Sequence, residues 1–424
     1  MSILINPIPV LKRNALNERI EKIVDVIGLE NLGLFLNFDE SGDYADYYNS
    51  RLKFLRNRWP NYAGGPLTHY ISNEGEVSSP LVLKPQLEFT GGTEETGSAK
   101  KVATKITFDE LTHIKNIAMI RLDVMKVGSI TSNVKVKVCF DNAGSPGDEV
   151  PQFREFYLPG EKDYFPFSAS DLPTLNPYLG GAFFVLKHNV PVVSIKDYWI
   201  VFEYEDDSSI DGSNYVKAKY GDKTGSAVAT HNGTSWSVIE NKSINYGLYD
   251  DSLNVEEDAT VFIMLQSDKI RDYNDASVLF RLGNQLNQKS FNIEHKAGHI
   301  EINADSTYYI LFNKNIDFSK WGVLAVTFSK WKSIHKMAAY HNGELLIDEA
   351  DDGTPRDRPY QTGRGSVGME RALLPSIGMG VGYNGRWAGS PFPGKIASVI
   401  LAKKELNVNQ ISKVSQLLLG GKKL

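Results

Sequence analysis

Apolar and polar residues alternate one by one over short runs, and such runs recur along much of this chain. Val134, Val136, Val138 and Phe140 alternate with Lys135, Lys137 and Cys139, and Ile120, Leu122 and Val124 alternate with Arg121 and Asp123. A period of two sends successive side chains to opposite faces of a strand, so each run has one buried face and one wet face. Cys139 therefore shares the side of its strand that carries Lys135 and Lys137, and no neighbouring pattern marks it as a nucleophile. Turn-forming residues separate the runs. Asp141-Asn-Ala-Gly-Ser-Pro-Gly147 is dense in residues that pre-set turn dihedrals. An Asn-Gly pair, Asn342-Gly343, stands between the apolar runs 337–340 and 344–347, the strongest short hairpin signal. Tyr198-Trp-Ile-Val-Phe202 is apolar throughout, as in a strand covered on both faces. Further strands are expected at 260–265, 277–282, 291–294, 299–302, 308–312 and 323–328. Short strands separated by turn signals predict antiparallel sandwiches and argue against α/β units.

At 424 residues the chain is long enough for about three domains. The expected fold class is mainly β, with two tandem antiparallel β-sandwich (jelly-roll) domains, 80–250 and 251–424, behind a small mixed α/β N-terminal domain, 1–79. In that first segment Leu16, Ile20, Ile23, Val24 and Ile27 recur at helical spacing, with Asn14 as N-cap and Gly28 as stop. Leu32, Leu34, Leu36 and Phe38 read as a strand. Residues 44–59 carry a second helical pattern with a basic cluster, Arg51, Lys53, Arg56 and Arg58. Pro7 and Pro9 hold the first ten residues extended. At the other end, Asn407 caps a helix through Val408, Ile411, Val414, Leu417 and Leu418 that stops at Gly420-Gly421.

Composition narrows the function classes. Lys plus Arg is 46 against 51 Asp plus Glu, a formal charge of −5, which supplies no basic footprint for nucleic acid. One cysteine excludes an internal disulfide framework and a multi-cysteine metal site. No apolar run approaches the roughly 20 residues that span a bilayer as a helix. The N-terminus lacks the basic region of a signal peptide, so synthesis in a cytoplasm without a secretion address is expected.

The third segment resembles the concanavalin A-like, laminin-G-type jelly-roll family. Four features carry this in order: Trp321-Gly-Val-Leu-Ala-Val-Thr-Phe328, Ala339-Tyr-His-Asn-Gly-Glu-Leu345, Ile377-Gly-Met-Gly-Val-Gly-Tyr383, and Phe392-Pro-Gly-Lys-Ile-Ala-Ser-Val-Ile-Leu401 with Leu406 and Ile411 after it. The second segment is similar to jelly-roll repeats of phage tail and fibre proteins and of bacterial surface proteins. The pieces are Ile117-Ala-Met-Ile-Arg-Leu122, Lys126-Val-Gly-Ser129, 134–140, the turn 141–147 and Tyr198-Trp-Ile-Val201. Together the resemblances imply a bacteriophage virion component, capsid-decorating or in a tail or fibre. Its expected partners are other virion proteins and further copies of itself. The N-terminal arm, with Pro7, Pro9, Arg51, Arg56 and Arg58, would dock it; the alternative for the basic cluster is a solvated helix face.

The expectation is a protein without catalytic residues or an obligatory cofactor. Retaining glycosidases need two carboxylates about 5–5.5 Å apart; Glu203 and Glu205 have suitable spacing, but read as a solvated strand end. Calcium is the cofactor left open, at Asp250 and Asp251 with Glu256, Glu257 and Asp258, and at Asp351 and Asp352 with Asp348, each cluster otherwise being a solvated loop. Aromatics offer the alternative function, an adhesin recognising host surface glycan. Trp387 in a Gly-rich loop would stack on a sugar, with Arg386 and Asn384 as hydrogen-bonding partners, and Trp236 in His231-Asn-Gly-Thr-Ser-Trp236 is a second candidate.

Overall fold

The computed structural model describes residues 10–38, 44–46, 53–55, 71–72, 81–112, 114–151, 167–174, 181–193, 196–250, 258–267, 277–282, 291–296, 299–304, 307–312, 317–331, 334–347, 361–364, 375–377, 380–381, 387–388, 390–392 and 394–420. The fold is mainly β. Its sheets are antiparallel except for one short parallel pairing of Ser277 and Val278 with Ser390 and Pro391, and two α-helices are present among the described residues.

The middle segment is a sandwich. Its larger sheet runs in the order Val124–Val127, Tyr215–His231, Lys101–Ile106, Tyr198–Tyr204, Asn133–Asn142, Ser145–Glu149, with Trp236–Ile244 hydrogen-bonded alongside Tyr215–His231. The smaller sheet orders Ala182–Pro191, Asn116–Leu122, Tyr246–Tyr249, Leu87–Phe89. The alternation at 134–140 does what its period implies: Val134, Val136 and Val138 are buried in the shared core. Across the sandwich Phe184 meets Phe202 edge to face at 5.9 Å between ring centroids, a geometry that aromatic rings favour. The turn after Asn142 has Ala143 at φ 51° and Gly144 at φ 85°, the left-handed pair that a tight hairpin between twisted strands requires.

The terminal sandwich is assembled from both ends of the chain. Its nine-stranded sheet runs Tyr44–Asp46, Leu32–Phe38, Lys395–Ala402, Ala259–Gln266, Gly322–Trp331, Ile334–His341, Glu344–Leu345, with Gln361–Arg364 paired to Ile334–His341 and Ile71–Ser72 paired to Lys395–Ala402. The eight-stranded sheet runs Thr307–Phe312, His299–Ala304, Phe291–Lys296, Ser277–Leu282, Pro375–Ile377, Leu81–Lys84, Lys53–Leu55, with Ser390–Pro391 paired to Ser277–Leu282. Residues before position 80 thus add strands to both sheets, with Phe35 opposite Ile400 and Leu83 opposite Phe54. The helices Val10–Ile27 and Val408–Leu418 lie over the nine-stranded sheet. Ile23, Val24, Ile27, Ile411 and Val414 share a buried cluster with Phe35, Phe262, Val323 and Ile400, and the Gln410 side-chain amide donates to the Val26 carbonyl at 2.9 Å. This explains why Leu34 and Phe35 are both buried: one faces the sandwich core and the other faces the helices.

Several local expectations change. The helix expected over 44–59 is replaced, where described, by Tyr44–Asp46 and Lys53–Leu55; pairing to exposed strand edges outweighs a weak helical period. Asn14 is not an N-cap, because the first helix begins at Val10. Gly28 does end it, at φ 86° with its N–H bonded to the Val24 carbonyl. Asn407 caps the last helix reciprocally with Gln410, and Asn342-Gly343 forms the expected left-handed turn.

Candidate binding face

The larger sheet of the middle sandwich has a second face, turned away from the core, and strand register aligns its side chains into rows. Trp236 pairs with His231, His231 with Lys101, Lys101 with Glu203, and Glu203 with Lys135. Four inter-strand steps make this row about 19 Å long. The next row is Val238, Ala229, Ala103, Val201 and Lys137. Its small residues, with Cys139 and Trp199, form a compact apolar floor on which Trp236 and Val238 pack.

Glu203 is the hub of the row. It is 4% exposed and receives three lysines: Lys101 at 2.9 Å, Lys135 at 2.9 Å and Lys137 at 2.7 Å. Burial alone would raise its pKa, but bonds from Lys137, Lys135 and Lys101 outweigh that and hold the carboxyl at about 2. Burial likewise pulls Lys137 down, and its bond to Glu203 more than restores it, so this ammonium titrates above its ordinary value. The expectation of a solvated strand end at Glu203 is therefore corrected. The carboxylate is fixed by lysines from the two strands that flank its own, Lys101–Ile106 and Asn133–Asn142, an arrangement that spacing along one strand cannot reveal.

At one end of the row, His231 meets Trp236 edge to face at 4.9 Å. The His231 Nδ1 accepts the Gly233 N–H at 3.0 Å, which places the proton of the neutral ring on Nε2. Burial and the neighbouring Lys101 charge push the His231 pKa down. At the other end the sheet gives way to a cleft of about 400 Å³ lined by Thr131, Ser132, Asn133, Glu205, Asp206, Ser208 and Ser209. Asn133 and Glu205 lie two residues beyond Lys135 and Glu203 on their chains and are tied by Asn133 Nδ2 donating to Glu205 Oε2 at 2.7 Å. Hydroxyl, amide and carboxylate groups make this lining both donor and acceptor.

On the same side, Trp199 is held by its Nε1–H donating to Asp141 Oδ1 at 2.7 Å. Lys105 bridges Asp141 at 3.5 Å and Asp197 at 3.0 Å. Cys139 is buried, and burial pushes its thiol up to about 12, consistent with the inert thiol read from sequence. A second buried polar group lies in the terminal sandwich. Arg281 donates through Nε to Asn292 at 3.2 Å and through Nη2 to Glu294 at 3.1 Å.

Of the candidates named from sequence, Trp236 belongs to this face. Trp387 lies in a two-residue strand, Trp387–Ala388, opposite Val381, and not in a free loop. Asp250 is engaged by Gln86, which donates through Nε2 to Oδ1 at 3.2 Å and accepts the Asp250 N–H at 3.2 Å. Asn384, Arg386, Asp251, Asp351, Asp352, Pro7, Pro9, Arg51, Arg56 and Arg58 lie outside the described residues. Among the described residues, no three His, Cys, Asp or Glu side chains gather as a metal site. The cluster that sequence reasoning missed, Lys101, Lys135, Lys137 and Glu203, had one legible sign: Lys135 and Lys137 share a strand face.

No family model matches the chain, and no curated protein matches it. Among solved structures it is similar to the CBM40 of the Ruminococcus gnavus IT-sialidase bound to alpha2,3 sialyllactose, at 17% identity over 38% of this chain and 84% of that one, with a TM-score of 0.28. It is also similar to a heptameric SAP-like pentraxin from Limulus polyphemus, at 14% identity over 38% and 71% of the two chains and a TM-score of 0.29. A third likeness is to the botulinum neurotoxin type G receptor-binding domain, at 11% identity over 49% and 43% and a TM-score of 0.27. At these scores none of the likenesses fixes a ligand for this chain.

Proposed function

We propose that this chain is a non-catalytic recognition protein whose middle sandwich binds an oligosaccharide across the outer face of its larger sheet. The observation that carries this is the aligned row from Trp236 through His231, Lys101 and Glu203 to Lys135, ending beside the polar cleft around Asn133 and Glu205. An aromatic edge, a fixed line of polar groups and a hydroxyl-lined cleft match a ligand with apolar ring faces and many hydroxyls. The rigid sheet holds these groups in place, which lowers the entropic cost of binding. Glu203 is committed to three lysines, so its role here is to position them rather than to attack a substrate. A glycan array followed by titration of the strongest hit tests the reading. Trp236→Ala and Asn133→Ala should each weaken that hit by about tenfold, the cost of one good contact; unchanged affinity in both would contradict it.

The second reading is a virion component that displays the two sandwiches. It is supported by the sequence resemblance of the middle segment to phage tail and fibre jelly-rolls, carried in part by the hairpin at 141–147, which forms one edge of the larger sheet, and by the apolar strand at 198–202 in its interior. Imaging purified phage particles with an antibody to the middle segment tests that placement.

A further inference from the structure

We infer that the oligosaccharide taken by this face is acidic, and that the Lys101, Lys135 and Lys137 ammonium groups read its carboxylate or sulfate. This rests on the glycan reading and narrows its ligand class. Three ammonium groups converge on one carboxylate, so cations exceed carboxylate at the hub. Glu149 acts on Lys137 through space and offsets part of that excess. An ammonium has three N–H donors. Lys101 and Lys137 each direct one at Glu203, which leaves donors on both for a ligand.

The lysine side chains retain 39%, 28% and 24% of their exposure for Lys101, Lys135 and Lys137, whereas Glu203 retains 6%. The surface accordingly presents cations with their counter-charge underneath. Glu203 holds the lysines in place before any ligand arrives, so less side-chain freedom is lost on binding. Next in the row, the neutral His231 ring keeps its Nε2–H as a donor beside Lys101. Carboxylates are placed differently: Glu205 and Asp206 line the cleft beyond Lys135, where they suit sugar hydroxyls as donors. The face is thus divided, acidic groups of the ligand over the lysines and neutral hydroxyls at the cleft.

The test is calorimetric titration of the full chain with hexagalacturonic acid, its fully methyl-esterified form and a heparin-derived hexasaccharide. These arms separate carboxylate from neutral ester and from sulfate. The inference expects at least one acidic probe to bind about tenfold or more tightly than the ester, with affinity falling as salt is raised. Lys101→Gln removes the charge but keeps a donor. It should cost about tenfold on the acidic probe and little on the ester, with an unchanged far-ultraviolet circular dichroism spectrum showing that the fold is intact. Equal affinity for acid and ester, or no binding of either acidic probe while neutral glycans bind on the array, would overturn the inference and leave the glycan reading standing. An array without any bound carbohydrate would overturn both.

Discussion

Glu203→Gln is the most informative single change in the middle sandwich. It keeps the shape of the side chain, removes one charge and leaves Lys101, Lys135 and Lys137 around a neutral amide whose own N–H donors have no acceptor among them. The magnitude follows from titration. The folded carboxyl sits at about 2 against an ordinary 4.5, which corresponds to about 3 kcal/mol of stability at neutral pH. Breaking a buried pair costs about 3–5 kcal/mol, but these lysines are partly exposed and can turn to water, so the lower end applies. The sign is fixed: because the folded carboxyl titrates below the unfolded one, its contribution is complete above the unfolded value and disappears as pH falls through the folded value. Urea unfolding followed by tryptophan fluorescence, which reports Trp199 and Trp236 in this sandwich, should place the variant about 3 kcal/mol below wild type at neutral pH. The two should converge as pH falls below the folded value. A neutral-pH difference under about 1 kcal/mol, or one that persists at low pH, would refute the claim that Glu203 is the hub.

Other expectations follow from packing and capping. Phe35→Ala, at a site 1% exposed between the sheet and the helices, should cost about 3–5 kcal/mol in chemical unfolding. Deleting residues 1–79 should leave the terminal sandwich unable to unfold cooperatively in calorimetry, because strands that flank Lys395–Ala402 and Leu81–Lys84 are lost. Asn407→Ala removes the side-chain oxygen that accepts the Gln410 N–H, while its own backbone N–H can still donate to Gln410, and should cost about 1 kcal/mol. Cys139, with its thiol pushed up to about 12, should resist iodoacetamide in the native protein at mildly alkaline pH and react once urea unfolds the chain; rapid native labelling would contradict its burial.

The parts of the fold that were legible in sequence are those governed by local chemistry. Alternation at 134–140 and the Asn342-Gly343 turn specify strands and a hairpin through side-chain direction and backbone dihedrals, and the structure has both. What was not legible depends on partners distant in the chain. Nothing near Leu32–Phe38 shows that it will lie against Lys395–Ala402, so a segment that reads as a separate head supplies strands to the terminal sandwich. The same applies to the site. Trp236 was singled out from its hairpin, but Glu203 reads as solvated until register brings lysines from two neighbouring strands onto it.

The account's central claim is that the outer face of the middle sandwich is where ligand binds. Hydrogen–deuterium exchange of the full chain with and without the strongest glycan-array hit tests it most directly. The account predicts slowed exchange confined to 101–105, 131–137, 199–209 and 229–238, the segments that carry the row and the cleft. Protection confined to the terminal sandwich, with these four segments unchanged, would contradict it.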